Sequence, residues 1–344
     1  MKTSWLFGAA LVFVFALGAC DDGDDDIAFQ IGLVTDVGGI DDRSFNQGAW
    51  EGILEFAEEY DLPEGNYRYL ESASEAEYLP NIIALSDDEP DLIVVPGSLF
   101  EDALIDAAAR YPDQGYLIID KAIAADNVAS AVFAAHEGSF LVGVAAALEA
   151  QAAGEDTVGF IGGMDIDIIQ EFEAGFEAGV WAVDPAMTVL VDYVGSFSDA
   201  QAGQTVAAGQ YDRGAHVVYH AAGGAGNGVI SEARDRQADG EEAWVIGVDR
   251  DQYEDGVYNE AGDSAVLTSM MKHVDVAAYL VAVAAHDGDF PGGGTLVFDL
   301  ANDGVGLPAE NPNLTQAMID AVAGYEQDIL DGVITVPTVP SRLS

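Results

Sequence analysis

Short apolar runs alternate with longer segments of helical period along almost the whole chain. Residues 28–35 (AFQIGLVT) read as a strand ending at Asp36, and after a Gly-Gly loop Ser44 stands where it would cap a helix running to Tyr60. A strand at 67–70 precedes a helix at 75–86. A strand at 91–95 (DLIVV) precedes a helix at 99–110, and a strand at 116–119 (YLII) ends at Asp120. The alternation continues through helix 136–152, strand 157–161 (TVGFI), helix 168–181, strand 187–194 and helix 200–210. It goes on through strand 215–219 (AHVVY), helix 228–237 and strand 244–248 (WVIGV), which ends at Asp249. A short strand at 265–269 and a helix at 271–286 follow. The PGGG at 291–294 reads as a turn or crossover, and a helix at 313–331 closes the series. Near-continuous apolar strands separated by helices are the pattern of parallel sheets covered on both faces.

Beyond position 20 the chain is longer than the roughly 100–200 residues usual for one domain, so two lobes are expected. The expected division is 28–126 for the first lobe and 127–254 for the second, with 255–290 returning to the first and 291–344 to the second. In open parallel sheets ligands sit beyond the carboxyl ends of the strands. Two facing lobes would line one cleft with those ends. Candidate residues are therefore Asp36, Asp120 and Asp249, together with Phe197 and Gly223–Gly224.

The first 19 residues have a different character. Lys2 is followed by an apolar run from Trp5 to Leu17, and Leu17-Gly18-Ala19-Cys20 is a small-residue cleavage pattern ending in the chain's single cysteine. Residues 1–19 read as a lipoprotein signal peptide, Cys20 as the lipidation site and 20–27, with its DDGDDD run, as an acidic tether. The apolar run is at or below the roughly 17-residue minimum for a membrane span. The expected location is the extracytoplasmic face of the cell membrane, held there by lipid.

Charge narrows the partners. Sixty-one acidic residues stand against 11 basic ones, a formal net charge of -50. Nucleic acid is excluded as a partner, because that needs a basic footprint. The carboxylates are scattered through a chain that is 50% hydrophobic, so they describe a folded domain with an acidic coat rather than a disordered tail. Self-repulsion of such a coat is relieved when salt shortens the screening length to about 3 Å at 1 M, which suits an organism living in high salt. Lysine is so scarce that only Lys121 and Lys272 follow the signal segment.

Residues 35–52 (TDVGGIDDRSFNQGAWEG) are the strongest local signal. Phe45 and Asn46 fall in the first turn of a helix at a strand end, where a ring offers a stacking face and an amide offers a donor and an acceptor. Phe197, between a strand and a helix, would supply an opposing face from the other lobe. Asp249 can accept from two adjacent hydroxyls, as on a ribose. Lys272 would donate to the same sugar or pair with Asp249 in the empty site. The loop AAGGAGNG at 221–228 matches neither the P-loop nor the dinucleotide fingerprint, and reads as a close backbone approach to a ligand. No GxSxG, HExxH or catalytic cysteine is present, the histidines lack metal-site spacing, and 165–168 and 249–251 do not match an EF-hand loop. Neither catalysis nor a cofactor or metal is expected.

Taken together, Cys20 in its lipobox, Ile31-Gly32-Leu33-Val34-Thr35-Asp36, Asp42-Arg43-Ser44-Phe45-Asn46-Gln47, Gly159–Gly163 followed by Phe172 and Gly175-Phe176, the glycine loop and Val248-Asp249 resemble the basic membrane protein family. That family comprises substrate-binding lipoproteins of ABC transporters. The resemblance implies an α/β type I periplasmic-binding-protein fold, two Rossmann-like lobes with the cleft between them. It implies a nucleoside, purine above all, held between Phe45 and Phe197. Asn46 and Asp120 would address the base, Asp249 and Lys272 the ribose, with Asp36 and the Gly223–Gly224 backbone nearby. The implied partners are a permease with its ATPase subunit, and the protein itself would be monomeric. A receptor for a sugar or other small metabolite is the alternative, and a nucleoside-cleaving enzyme the second.

Overall fold

The structure, a computed structural model, describes residues 29–344. The signal peptide, Cys20 and the acidic tether lie outside the described residues.

The first lobe opens with β1 (Ile31–Val34), α1 (Phe45–Glu59), β2 (Tyr67–Leu70), α2 (Tyr78–Ser86), β3 (Leu92–Pro96), α3 (Glu101–Arg110), β4 (Gly115–Ile119) and β5 (Val128–Phe133). The chain then enters the second lobe with α4 (Ala135–Ala153), β6 (Thr157–Gly162), α5 (Asp167–Val183), β7 (Thr188–Tyr193), α6 (Ala200–Asp212), β8 (Val217–Ala221), α7 (Gly226–Ala238), β9 (Trp244–Asp249) and β10 (Val266–Lys272). It returns to the first lobe for α8 (Val274–His286) and β11 (Thr295–Phe298). It ends in the second with β12 (Val305–Gly306) and α9 (Gln316–Leu330). The sheet orders are β11-β5-β4-β3-β1-β2 and β12-β10-β9-β8-β6-β7, every pairing parallel except β10 with β12.

This topology moves the expected boundaries. Val128–Phe133 was assigned to the second lobe, but it pairs with β4 and β11, so the first crossing comes after Phe133 and not at 127. Residues 266–272 were expected in the first lobe, but they pair with β9, so the second crossing is at Lys272–Val274. The strand 295–298, unforeseen after the PGGG turn, lies in the first sheet and delays the last crossing past Phe298. In each case the strand completes its pairing within one sheet before the chain changes lobe. The crossings lie side by side: Ala134 N–H donates to Phe298 O at 2.8 Å, His273 N–H to Gly304 O at 3.0 Å, and the Phe133 and Phe298 rings stack at 4.8 Å.

In both sheets the order reverses beside the first strand of its lobe, β1 next to β3 and β6 next to β8. The loops leaving those strands therefore diverge and open a crevice at their carboxyl ends. The central strands β1, β3 and β8 are buried along their length, as strands covered on both faces must be.

The covering helices pack at unusually close range through glycine. A Cβ on Gly175 or Gly179 of α5 would lie 2.1 Å from His136 O and 2.0 Å from Phe140 O of α4, and one on Gly143 of α4 would lie 2.4 Å from Phe176 O. Gly52 of α1 meets Asp275 O of α8 in the same way, and Gly228 of α7 meets Ala200 O of α6. Backbone seated on backbone leaves no side chain able to yield, so an added methyl must push the helices apart. Gly179→Ala is therefore expected to destabilise the protein by about 1–3 kcal/mol in urea unfolding. Gly209→Ala in α6, where nothing lies within 4 Å of the new Cβ, is expected to be neutral or to stabilise by about 0.4–1 kcal/mol. Equal effects of the two substitutions would contradict this packing.

Candidate functional site

A cavity with about 580 Å³ of space between atoms, its open mouth included, lies between the lobes. Its lining comes from the carboxyl ends of the strands: Asp36, Gly38 and Asp42 after β1, Ser98 after β3, Asp120 after β4, Ile166 and Phe172 after β6, Phe197 after β7, Gly223 after β8, Asp249 on β9 and Lys272 on β10. Of the residues expected from the sequence, Asp36, Phe45, Asn46, Asp120, Phe197, Gly223, Asp249 and Lys272 are brought together here. Gly224 lies one residue beyond the lining, in the turn Gly223–Ala225, where a Cβ would be 3.2 Å from Phe197 O.

The loop after β1 is organised by Asp42. Its carboxylate accepts from the backbone N–H of Ser44 (2.9 Å), Asn46 (2.9 Å) and Gln47 (3.1 Å), satisfying the free amides that begin α1. Ser44 was expected to be that cap. It occupies the N-cap position but makes no capping bond, and its hydroxyl donates across the cleft to Asp249 Oδ2. Asp42 can take over the capping because its carboxylate oxygens reach several amides at once. That frees Ser44 to join the lobes.

Asn46 also differs from expectation. Its side-chain N–H groups donate to Asp36 Oδ1 (2.7 Å) and Asp42 Oδ2 (3.0 Å), and its oxygen accepts from Asp36 N–H (3.1 Å). The amide donor and acceptor expected to meet a ligand are both engaged in bracing the loop. Asn46 lines the cavity chiefly as the clamp that orients Asp36.

Asp120 and Asp249 have φ of +67° and +68°, the left-handed region that aspartate tolerates better than most residues. Each breaks the extended path at the end of its strand, one in each lobe. Strain of this kind, of order 1–3 kcal/mol, persists where the surrounding structure enforces it. Between them lies Lys272, 2% exposed. Its ammonium pairs with Asp120 Oδ2 and sits 4.5 Å from the centre of the Phe45 ring, 5.2 Å from Phe133 and 5.5 Å from Phe172. The expected resting pair with Asp249 is not made: the ammonium is on Asp120, and Asp249 Oδ2 accepts from the Ser44 hydroxyl. Asp120 Oδ1 is buried with no hydrogen-bond partner among the described residues, a position that calls for a donor. Lys121, the other lysine singled out, forms a partly exposed pair with Glu101 at 2.7 Å and lies outside the cavity lining.

Phe197 seats its ring on Gly163, where a Cβ would come within 2.4 Å of it, and its carbonyl accepts from Ala225 N–H at 3.0 Å. Gly223, at φ +54°, lets the glycine loop turn beneath that ring. Ile166, Ile168, Ile169 and Phe172 add an apolar floor to the cavity that no motif announces. Its signal was an apolar cluster at a helix start, which is indistinguishable from ordinary core.

Further contacts join the lobes around the loop 42–44. Gln252 donates to Arg43 O at 3.0 Å, Asn227 to Asp42 O at 3.0 Å, and Arg43 pairs with Asp255 at 2.9 Å. The described conformation is thus a closed one.

Burial raises the carboxyls of Asp36, Asp42 and Asp249. Desolvation pushes Asp249 up to about 6 despite the opposing pull of Lys272 and the Ser44 bond, lifts Asp42 to about 6 and raises Asp36. Glu171, next to Phe172, is raised to about 7, chiefly by desolvation and then by Asp120. A carboxyl raised on folding binds more protons in the native state. Its contribution to stability therefore falls as pH rises from the unfolded value near 4 through the folded one near 6.

A family model described as ABC transporter substrate-binding protein PnrA-like matches residues 29–339. The chain is 41% identical to the CD4+ T-cell-stimulating antigen of Listeria monocytogenes serovar 1/2a, covering 97% of this chain and 99% of that protein. It is 42% identical to the ABC transporter nucleoside-binding protein BmpA of Lactococcus lactis subsp. cremoris, covering 89% and 88%. Among solved structures, an ABC transporter solute-binding protein from Aeropyrum pernix K1 superposes with a TM-score of 0.79 at 28% identity, over 90% of this chain and 93% of that one. The two-lobed α/β fold is that of such solute-binding proteins.

The raised carboxyls give a test of the site's electrostatics. Asp249→Asn removes one of them, so its stability relative to wild type is expected to be greater at pH 7.5 than at pH 4.5, by of order 1–3 kcal/mol. Urea unfolding at the two pH values checks this. A difference that does not change with pH would mean that Asp249 titrates alike in the folded and unfolded chain.

Proposed function

The chain belongs to the PnrA-like family of ABC transporter substrate-binding proteins, and on that premise we propose that it captures nucleosides, purine nucleosides above all, and delivers them to a permease driven by its ATPase subunit. Substrate-binding proteins of this kind work outside the cytoplasm. The finer reading is a monomeric lipoprotein, anchored through Cys20 at the outer face of the cytoplasmic membrane, that binds its ligand without cleaving it.

One observation carries the ligand class. Phe45 and Phe197 line one cavity from opposite lobes, with the unpartnered Asp120 Oδ1 and the Asp249 carboxylate in the same lining. Two rings suit a flat heterocycle. An orphaned acceptor suits an N–H on that heterocycle, and a carboxylate suits adjacent sugar hydroxyls. The name of the Lactococcus relative supports the same class. A sugar receptor would also use rings and carboxylates, but a free sugar has no planar N–H edge to meet Asp120. A nucleoside-cleaving enzyme would need an acid, base or metal at the glycosidic bond. In this reading Asp120 and Asp249 are committed to the base edge and the ribose hydroxyls, which leaves neither for the glycosidic bond.

Calorimetry with guanosine or inosine, the 2′,3′-dideoxynucleoside and the free base tests the reading. Wild type is expected to bind the nucleoside best, and Phe45→Ala and Phe197→Ala are each expected to weaken it. Asp249→Ala is expected to remove about 1.5–3 kcal/mol, one to two decades of affinity, from the nucleoside while leaving the free base little changed. Binding of none of the three by wild type would move the ligand to a sugar or another metabolite, and release of free base during incubation would overturn the transport reading.

A further inference from the structure

We propose that Arg342 is a positioning residue for the second-lobe wall of the cavity, holding Phe197 and Phe172 in place without lining the cavity itself. This rests on the reading of that cavity as the ligand site. After α9 the chain runs through Pro337 and Pro340, the latter in extended backbone at φ −70° and ψ 157°, and lays Ser341 and Arg342 against α5. Ser341 donates through its N–H (2.8 Å) and hydroxyl (2.9 Å) to Glu177. Arg342 Nε donates to both oxygens of Glu173, at 2.9 and 3.1 Å. Its Nη2 donates to Asp165 Oδ1 at 2.6 Å and to the Tyr193 hydroxyl at 3.0 Å, and its guanidinium lies 5.1 Å from the centre of the Tyr193 ring. The Tyr193 hydroxyl in turn donates to Glu173, which is fully buried.

Each partner of Arg342 is tied to a wall residue. Asp165 precedes Ile166 in the loop after β6. Glu173 follows Phe172 on α5, one turn beyond Ile169. Tyr193 ends β7, four residues before Phe197, and the two rings lie on adjacent glycines. A Cβ on Gly162 would come 2.4 Å from the Tyr193 ring, and one on Gly163 would come 2.4 Å from the Phe197 ring. Whatever fixes Tyr193 on Gly162 therefore restrains the short loop that carries Phe197 on Gly163. A planar guanidinium spreads its donors over separate nitrogens in a fixed fork, so Nε and Nη2 reach three elements at once, whereas an ammonium's three donors leave from a single point. The simpler role is neutralisation of Glu173, since a fully buried carboxylate without a partner is costly. The two roles are separable, because removing both charges abolishes the need for neutralisation and leaves the fork missing.

The experiment uses the full chain with Arg342→Gln, Arg342→Lys, the double variant Arg342→Gln/Glu173→Gln, and Arg236→Gln as a control. Arg236 also holds several carboxylates, Glu232, Asp212 and Glu241, but lies away from the cavity. The readouts are guanosine affinity by calorimetry, the urea unfolding midpoint, and hydrogen exchange of the ligand-free protein over 163–172 and 194–199. Positioning predicts a loss of affinity of about tenfold or more for Arg342→Gln and faster exchange in those two segments, with first-lobe exchange unchanged. The double variant should regain the unfolding midpoint but not the affinity or the exchange protection. Arg342→Lys should recover only part of either, and Arg236→Gln should match wild type in both. If Arg342→Gln does not fold, the double variant carries the test. Wild-type affinity and exchange in the double variant would overturn the proposal and leave Arg342 a counter-charge. If wild type itself binds no guanosine, the nucleoside reading fails separately, and the exchange measurement still decides whether Arg342 holds the wall.

Discussion

A single buried ammonium is the constraint on which the cleft depends. Lys272 is enclosed by the rings of Phe45, Phe133 and Phe172 and paired with Asp120, in a cavity that also holds Asp36, Asp42 and Asp249. Isolated buried charges are strongly disfavoured, and pairing one of them leaves the others to be stabilised by hydrogen bonds. The structure provides those bonds from the ends of its own elements. Asp42 takes the free amides of α1, Asp36 takes Gly38 N–H and the Asn46 amide, and Asp249 takes the Ser44 hydroxyl from the facing lobe. The last of these makes closure of the lobes part of the electrostatic solution. An open cleft would expose Lys272 and Asp249 to water, and a closed one must give each of them a partner.

The sheet topology places these groups. Reversal of strand order beside β1 and β6 opens a crevice in each sheet, and side-by-side crossings hold the two crevices face to face. Lys272 is the last residue of a strand in one lobe and stands at the crossing into the other. It is therefore positioned to sense both. The glycine-seated helix pairs behind the sheets pack each lobe backbone against backbone.

Much of this was legible in the sequence, because a strand buried on both faces writes a continuous apolar run and a turn after it writes glycine or aspartate. Asp36, Asp120 and Asp249 were found in that way. What stayed hidden depended on pairing. Val128–Phe133 (VASAVF) is rich in alanine and serine, which have little strand preference, and Thr295–Phe298 and Val305–Gly306 are short edge strands. The lobe boundaries shifted with them. The partners of polar groups were hidden too. The spacing of Asp42, Ser44 and Asn46 announces a helix start but not which of the three caps it, and nothing near Lys272 in sequence announces Asp120. Arg342, far from every motif, became visible only once the chain laid it on Glu173.

The central claim is that the two lobes close on a flat, N–H-bearing ring with its sugar on Asp249. A crystal structure of the protein with guanosine tests it most directly. The account predicts the base between Phe45 and Phe197, a base N–H on Asp120 Oδ1 and the ribose hydroxyls on Asp249, with the Ser44 bond yielding to them if necessary. A nucleoside bound elsewhere, or bound in the cleft with its ribose away from Asp249 and nothing donating to Asp120, would contradict it.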